Sequence, residues 1–197
     1  MEKKLQEALN SPEVIQAAQG RPLRLMFQDE ARFGRISDPR RCWAPMPMRP
    51  IVACAVVREF TYAYAAVCPS DGKMDSLVLP EASTRCMNIF LAELSRRYPD
   101  DHIVLVMDGA GWHRATGLEK PQNMSFVFLP PYSPELNPVE HIWDELREKY
   151  FHNQLFASLR GVEDRLVDGL VDLEQSPEVV RSITGWPWIL SLNLKAN

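Results

Sequence analysis

The run HIVLVMD, residues 102–108, is almost unbroken in its apolar character and closes on an acid. A strand with no polar alternation needs cover on both faces, which points to a sheet packed between helices. LRLMFQD, residues 23–29, ends in the same way. Alternation along it puts Leu23, Leu25, Phe27 and Asp29 on one face. Glu30 then points to the other face, so Asp29 and Glu30 do not form a shared-proton pair. Asp29 and Asp108 therefore close strands that can lie adjacent and parallel, and ligand sites in such sheets favour the carboxyl ends of strands. A carboxylate beside a core is costly unless something cationic holds it.

The remaining segments supply the other elements. Residues 1–20 read as a short helix and linker ending at Gly20, and residues 32–50 as a long arginine- and proline-rich loop. A loop of that length inside a compact domain is usually functional or disordered. IVACAVV (51–57) and TYAYAAVC (61–68) read as two strands of a hairpin turning at Arg58-Glu59-Phe60, and SDGK (70–73) as a turn. Residues 83–98 carry Met87, Phe90, Leu91 and Leu94 at helical spacing, and MSFVFLP (124–130) is a further buried strand. Asn137 suits an N-cap and Pro138 the first helical position. The helix that follows buries Val139, Ile142, Trp143, Leu146 and Tyr150. Two closing helices are expected at 155–173 and 176–184. The order predicts an α/β fold: a mixed five-stranded sheet flanked by helices on both faces. The expected division is an N-terminal helix and linker (1–20), a core (21–152) and a C-terminal helical extension (153–197).

Composition narrows the class. Five Trp and eight Phe support a packed interior rather than disorder. No stretch approaches the roughly 20 apolar residues of a membrane span, and MEKKLQEALNSPEV is no signal peptide, so a cytoplasmic location is expected. Cys42, Cys54, Cys68 and Cys86 contain no C-x-x-C pair; they are expected to be reduced and buried. The net charge of -4 is awkward for a nucleic-acid binder, but net charge speaks to steering and not to fold. Positive charge is local: Arg32, Arg35, Arg40, Arg41 and Arg49 crowd one segment beside Asp29. They read either as a solvated loop or as a phosphate-contacting arm.

Glu140, the third acid, falls in the first turn of the helix after PYSPELNP. Its plain reading is a capping box, Asn137-x-x-Glu140. Its functional reading joins it to Asp29 and Asp108. Three carboxylates at the right ends of three elements can chelate a pair of hard divalent cations, the usual apparatus for phosphodiester cleavage. Without metal the acids would repel one another. His113, five residues after Asp108, reads either as a surface loop histidine or as a group near the scissile phosphate, a hydrogen-bond donor or weak metal neighbour. Trp112 reads as a base stacker or, more readily, as packing under the loop.

At this point the chain resembles the catalytic domains of DDE transposases, in the mariner-like branch that includes many bacterial insertion sequences. The matching stretches are QDEARFG (28–34), RCWAPMPMRP (41–50), VMDGAGWH (106–113) and, most specific, LPPYSPELNPVEHIWDELR (129–147). The resemblance covers about residues 22–190. It implies a ribonuclease H-like fold and an Asp-Asp-Glu triad of Asp29, Asp108 and Glu140 using Mg²⁺ or Mn²⁺, with two ions. It implies DNA cleavage and strand transfer at element ends, DNA as partner with contacts from Arg32, Arg35, Arg40, Arg41 and His113, and a homodimer assembled on DNA. On DNA the protein would be nucleoid-associated. Full-length relatives carry an N-terminal helix-turn-helix region, whereas about twenty residues precede the first strand here. That leaves a second expectation open: a truncated, non-catalytic relative that binds DNA or inhibits intact transposase by association.

Overall fold

The computed structural model describes residues 1–37, 39–113, 115–192 and 194. The last three residues of the expected C-terminal extension, 195–197, lie outside the described residues. Two short helices, α1 (Glu2–Leu9) and α2 (Pro12–Ala18), precede the sheet. The strands are β1 (Leu23–Ile36), β2 (Val56–Cys68), β3 (Lys73–Leu79), β4 (His102–Met107) and β5 (Met124–Phe128). Their order is β3-β2-β1-β4-β5. The first three are antiparallel neighbours, and β4 and β5 run parallel to β1. This is the mixed five-stranded sheet expected from the element order.

β4 is buried at all six positions. Val104 and Val106 belong to one apolar cluster, Ile103, Leu105 and Met107 to the other. α3 (Thr84–Arg97) covers the second face with Met87, Phe90, Leu91 and Leu94; Ser83 caps it by accepting from the Cys86 N–H at 3.3 Å. The first face carries α4 (Val139–Leu146), α5 (Leu159–Glu174), α6 (Pro177–Thr184) and α7 (Pro187–Leu190), together with Leu5 and Leu9 of α1 and Val14 and Ala18 of α2. α5 reaches α4 closely because Gly169 has no side chain: a Cβ there would meet Leu146 Cδ2 at 2.8 Å and the Tyr150 ring at 3.0 Å. That contact helps set where α4 lies.

Three local expectations are corrected. Asp29 does not end its strand, since β1 continues to Ile36. Pairing with β4 stops at Phe27–Val106, so Asp29 still lies just past the carboxyl end of the parallel pair. Residues 51–57 and 61–68 are not a hairpin: Val56–Cys68 is one strand, and its outer part, before the pairing with β3 begins at Tyr62, forms a two-stranded ribbon with the far end of β1. Arg58 and Glu59 mimic a turn because the ribbon stands clear of the core, where exposed charged residues are tolerated. The third antiparallel strand is β3, in which the buried Asp75 breaks the alternation. All four cysteines are free, but Cys42 and Cys54 are exposed on the long connection between β1 and β2 rather than buried. Among the described residues no helix is long and apolar enough to cross a membrane.

Candidate active site

Three elements deliver the three acids. Asp29 comes from the middle of β1, opposite Ala65 of β2. Asp108 is the first residue after β4, and Glu140 lies in the first turn of α4. All three line one cavity of about 400 Å³, walled otherwise by Gly109, Ala110, Asn137 and the segment Leu129–Pro134. The placement follows from topology: β1 and β4 are parallel neighbours whose pairing stops at Phe27–Val106, so Asp29 and Asp108 both lie just past the same end of that pair.

Asn137 ties the third acid to the first. It is buried, its side-chain amide donates to the Gln28 carbonyl at 3.0 Å, and its Oδ1 accepts from the Val139 N–H at 3.3 Å. The start of α4 is thereby fixed to the backbone immediately before Asp29. Asn137 thus closes the helix start, but the capping box does not form, because the Asn137 N–H is given to the Pro134 carbonyl at 2.8 Å. Glu140 lines the cavity instead.

The electrostatics are those of crowded acids. Burial, and then the charge of Glu140, push the Asp29 carboxyl up to about 8; Glu30 and Asp108 add to the rise. A hydrogen bond from Trp143 Nε1 to Asp29 Oδ2, 2.8 Å, opposes it. Glu140 is also held above the usual carboxylate range, chiefly by burial, although Arg147 acts in the other direction. Such a set favours a hard, oxygen-seeking cation. Among the described residues, however, no three His, Cys, Asp or Glu side chains are already gathered to hold an ion. Two of the acids are engaged by protein donors, Asp29 by Trp143 and Asp108 by His113.

His113 is buried and bridges two acids. Its Nδ1 lies 2.7 Å from Asp108 Oδ1 and its Nε2 lies 2.8 Å from Glu30 Oε1. Burial alone would lower its pKa, but the bonds to Asp108 and Glu30 outweigh this and raise it to about 10. The ring is therefore not presented to a DNA phosphate in this conformation. Trp112 packs beside it, with Nε1 3.4 Å from Glu30 Oε1.

The arginines divide. Arg32 and Arg35 lie on β1 itself, where Arg32 sits 4.4 Å over the Phe60 ring. Arg35 pairs with Glu59 at 2.8 Å and donates to the Phe156 carbonyl at 3.1 Å. Arg40 and Arg41 are exposed on the connection between β1 and β2, and the Arg40 N–H donates to Asn153 Oδ1 at 3.0 Å. Arg32, Arg35 and Arg147 line a second cavity, which contains none of the three acids. Sequence reasoning did not find the site roles of Glu30, Trp143 and Asn137. Asn137 was read only as a cap. Glu30 and Trp143 act on partners more than eighty residues away, which no local spacing reports.

The profile of a family described as "DDE superfamily endonuclease" matches residues 24–163. The uncharacterized protein y4pE/y4sA of Sinorhizobium fredii (strain NBRC 101917 / NGR234) is 46% identical over 130 residues, covering 66% of this chain and 96% of that protein. Among solved structures, a pre-cleavage Mos1 transpososome matches at TM-score 0.58 with 14% identity, over 94% of this chain and 60% of that one. The Mos1 mariner paired end complex with Mn matches at TM-score 0.55 with 16% identity, over 83% of this chain and 56% of that one. The chain thus spans under two thirds of the Mos1 chains. At these identities the likeness establishes the fold, which is ribonuclease H-like.

Proposed function

The chain belongs to the DDE superfamily endonucleases, and on that footing we propose that it is the catalytic domain of a DDE transposase. It cleaves phosphodiesters at the ends of a mobile element and joins them to target DNA. The observation that carries this reading is the meeting of Asp29, Asp108 and Glu140, from three separate elements, on the wall of one cavity. Their carboxylates would hold Mg²⁺ or Mn²⁺, and three acids can share two such ions between them. The chemistry supplied by such ions is activation of the attacking oxygen and stabilisation of the leaving one. The chain's own residues set the frame. Trp143 orients Asp29, Asn137 locks the start of α4 to β1, and the Leu129–Pro134 segment closes one wall. Arg32, Arg40 and Arg41 carry the positive charge suited to DNA phosphates, and a homodimer forms on DNA. The protein works in the cytoplasm, at the nucleoid when on DNA.

A second reading, a non-catalytic relative that binds DNA or associates with intact transposase, draws on the acids not being already gathered. Nicking of supercoiled DNA separates the two. The first reading expects nicking that requires Mn²⁺ or Mg²⁺ and disappears in Asp108→Ala. DNA binding without nicking under any divalent cation would favour the second.

A further inference from the structure

Asp29 and Glu30 are neighbours on one strand and so project to opposite faces of the sheet. Asp29 meets Trp143 of α4 on one face. Glu30 meets His113 on the other, and its side chain is only 5% exposed. His113 in turn reaches Asp108, whose side chain is 53% exposed at the cavity. A chain of contacts therefore runs from β1 through a fully buried imidazole to the acid that follows β4.

The geometry of that chain is specific. Asp108 Oδ1 takes two donors, His113 Nδ1 at 2.7 Å and the Ala110 N–H at 3.0 Å. With one oxygen engaged from two directions, the carboxylate plane is set relative to the cavity. The imidazole is set as well, since its other nitrogen is bound by Glu30 at 2.8 Å. The turn Gly111–His113 that carries it is held by two further hydrogen bonds. The His113 N–H donates to the Ala110 carbonyl at 3.0 Å, and Thr84 Oγ1 of α3 donates to the Trp112 carbonyl at 3.3 Å. An acid that merely needed solvation would not require this much fixed structure behind it.

We propose that His113, braced by Glu30, is a positioning residue that orients Asp108 for metal binding. This rests on the reading of Asp108 as a metal ligand. β1 then serves both aspartates: it supplies Asp29 directly and, one residue later, supplies the brace for Asp108. Groups that orient metal-bound side chains typically matter about 10–100-fold in metal affinity or activity. The effect should fall on metal binding and turnover and spare DNA affinity, because neither Glu30 nor the His113 ring is exposed.

The test is Mn²⁺ titration of the whole chain without DNA, followed by the paramagnetic resonance signal of free Mn²⁺. DNA affinity is measured alongside by fluorescence anisotropy in metal-free buffer. Glu30→Gln is close to isosteric, so it serves even if His113→Ala fails to fold. Glu30→Gln and His113→Ala should each weaken Mn²⁺ binding by about 10–100-fold with DNA affinity unchanged. His113→Asn, which keeps a donor where Nδ1 stands, should recover part of the loss seen in His113→Ala. Asp108→Asn separates this idea from the one beneath it. If Asp108→Asn abolishes Mn²⁺ binding while Glu30→Gln, and His113→Ala where it folds, bind like the parent, the positioning role is overturned and the acid site stands. If Asp108→Asn itself binds Mn²⁺ like the parent, the acid site falls and the positioning role falls with it.

Discussion

The two ends of the sheet treat acids in opposite ways. At the start of β1, Arg24 donates to Asp101 at 2.6 Å and to Asp71 at 2.7 Å, and lies 4.6 Å over the Tyr98 ring. Nearby, Arg97 pairs with Asp75 at 2.8 Å, and Tyr98 donates to the same acid at 2.6 Å. Each of these carboxylates has a guanidinium partner. At the other end Asp29, Asp108 and Glu140 share a cavity that, among the described residues, is lined by no arginine or lysine. Among the described residues the donor to Asp29 is a neutral indole, and Asp108 shares the His113 imidazole with Glu30. The first end satisfies its charges with the chain's own cations. The second crowds three acids round one cavity, with an imidazole shared between Asp108 and Glu30, a cost expected where a cation from solution completes the site.

The largest test of this contrast is a pair of stability measurements on metal-free protein near pH 7. Arg24→Ala should lower unfolding free energy by on the order of 2 kcal/mol, between the values for exposed and buried pairs. Asp29→Asn should raise it by on the order of 1 kcal/mol, because Asn relieves a crowded carboxyl and can still accept from Trp143. Saturating Mn²⁺ should stabilise the parent and Arg24→Ala by about 2.7 kcal/mol at a hundred times the dissociation constant, and leave Asp29→Asn little changed. Equal destabilisation by both substitutions would mean that the two ends are the same kind of network.

The same contrast explains what could be read from the sequence. Asp29 and Asp108 were legible because each closes an apolar run, and burial is what makes a terminal acid conspicuous. Glu140 was legible from the proline-rich lead-in to an amphipathic helix, although its capping role was not borne out, since Asn137 gives its N–H to Pro134. β3 was not legible because its buried Asp75 is satisfied from α3 by Arg97 and Tyr98, a pairing that only the tertiary fold creates. The long strand β2 was misread because its outer half has no core to impose alternation. Glu30 and His113 stand 83 positions apart, and their bond depends on β1 and β4 being neighbours.

A subtler difference is the sign of the pH dependence. Burial alone would raise Asp71, but hydrogen bonds from Arg24 and the Lys73 N–H hold it below its usual value. Its contribution to stability is present above an unfolded value of about 3.9 and is lost as pH falls through the folded one. Asp29 behaves oppositely. Raised to about 8, chiefly by burial and next by Glu140, it favours the folded state most below about pH 4 and progressively less as pH rises toward 8. His113, raised to about 10, adds a decline of its own from about pH 6.5 upward, so Asp29 is best read below that. Melting temperatures of the metal-free protein should show Asp71→Asn flattening the acid limb and Asp29→Asn flattening the slope from about pH 4 to 6.5. Identical profiles for parent and Asp29→Asn would remove the crowding argument from this end of the sheet.

The smallest expected effect is on the stability of Glu140 variants, and it is informative because it is small. Were Glu140 a cap, Glu140→Ala would cost about 0.5–2 kcal/mol. The N–H it would cap is already taken by Pro134, and Asn137 Oδ1 serves the Val139 N–H. What remains is a favourable interaction with the helix N-terminus, about 0.3–1 kcal/mol, set against repulsion from Asp29 and partial burial. These oppose each other, so Glu140→Gln and Glu140→Ala should both unfold within about 0.5 kcal/mol of the parent. Metal-dependent cleavage should nevertheless fall by orders of magnitude in both, since a neutral amide is a poor ligand for a hard divalent cation. A Glu140→Gln protein that cleaves normally would take Glu140 out of the site and leave Asp144, one turn further along α4 and largely exposed, as the next acid to examine.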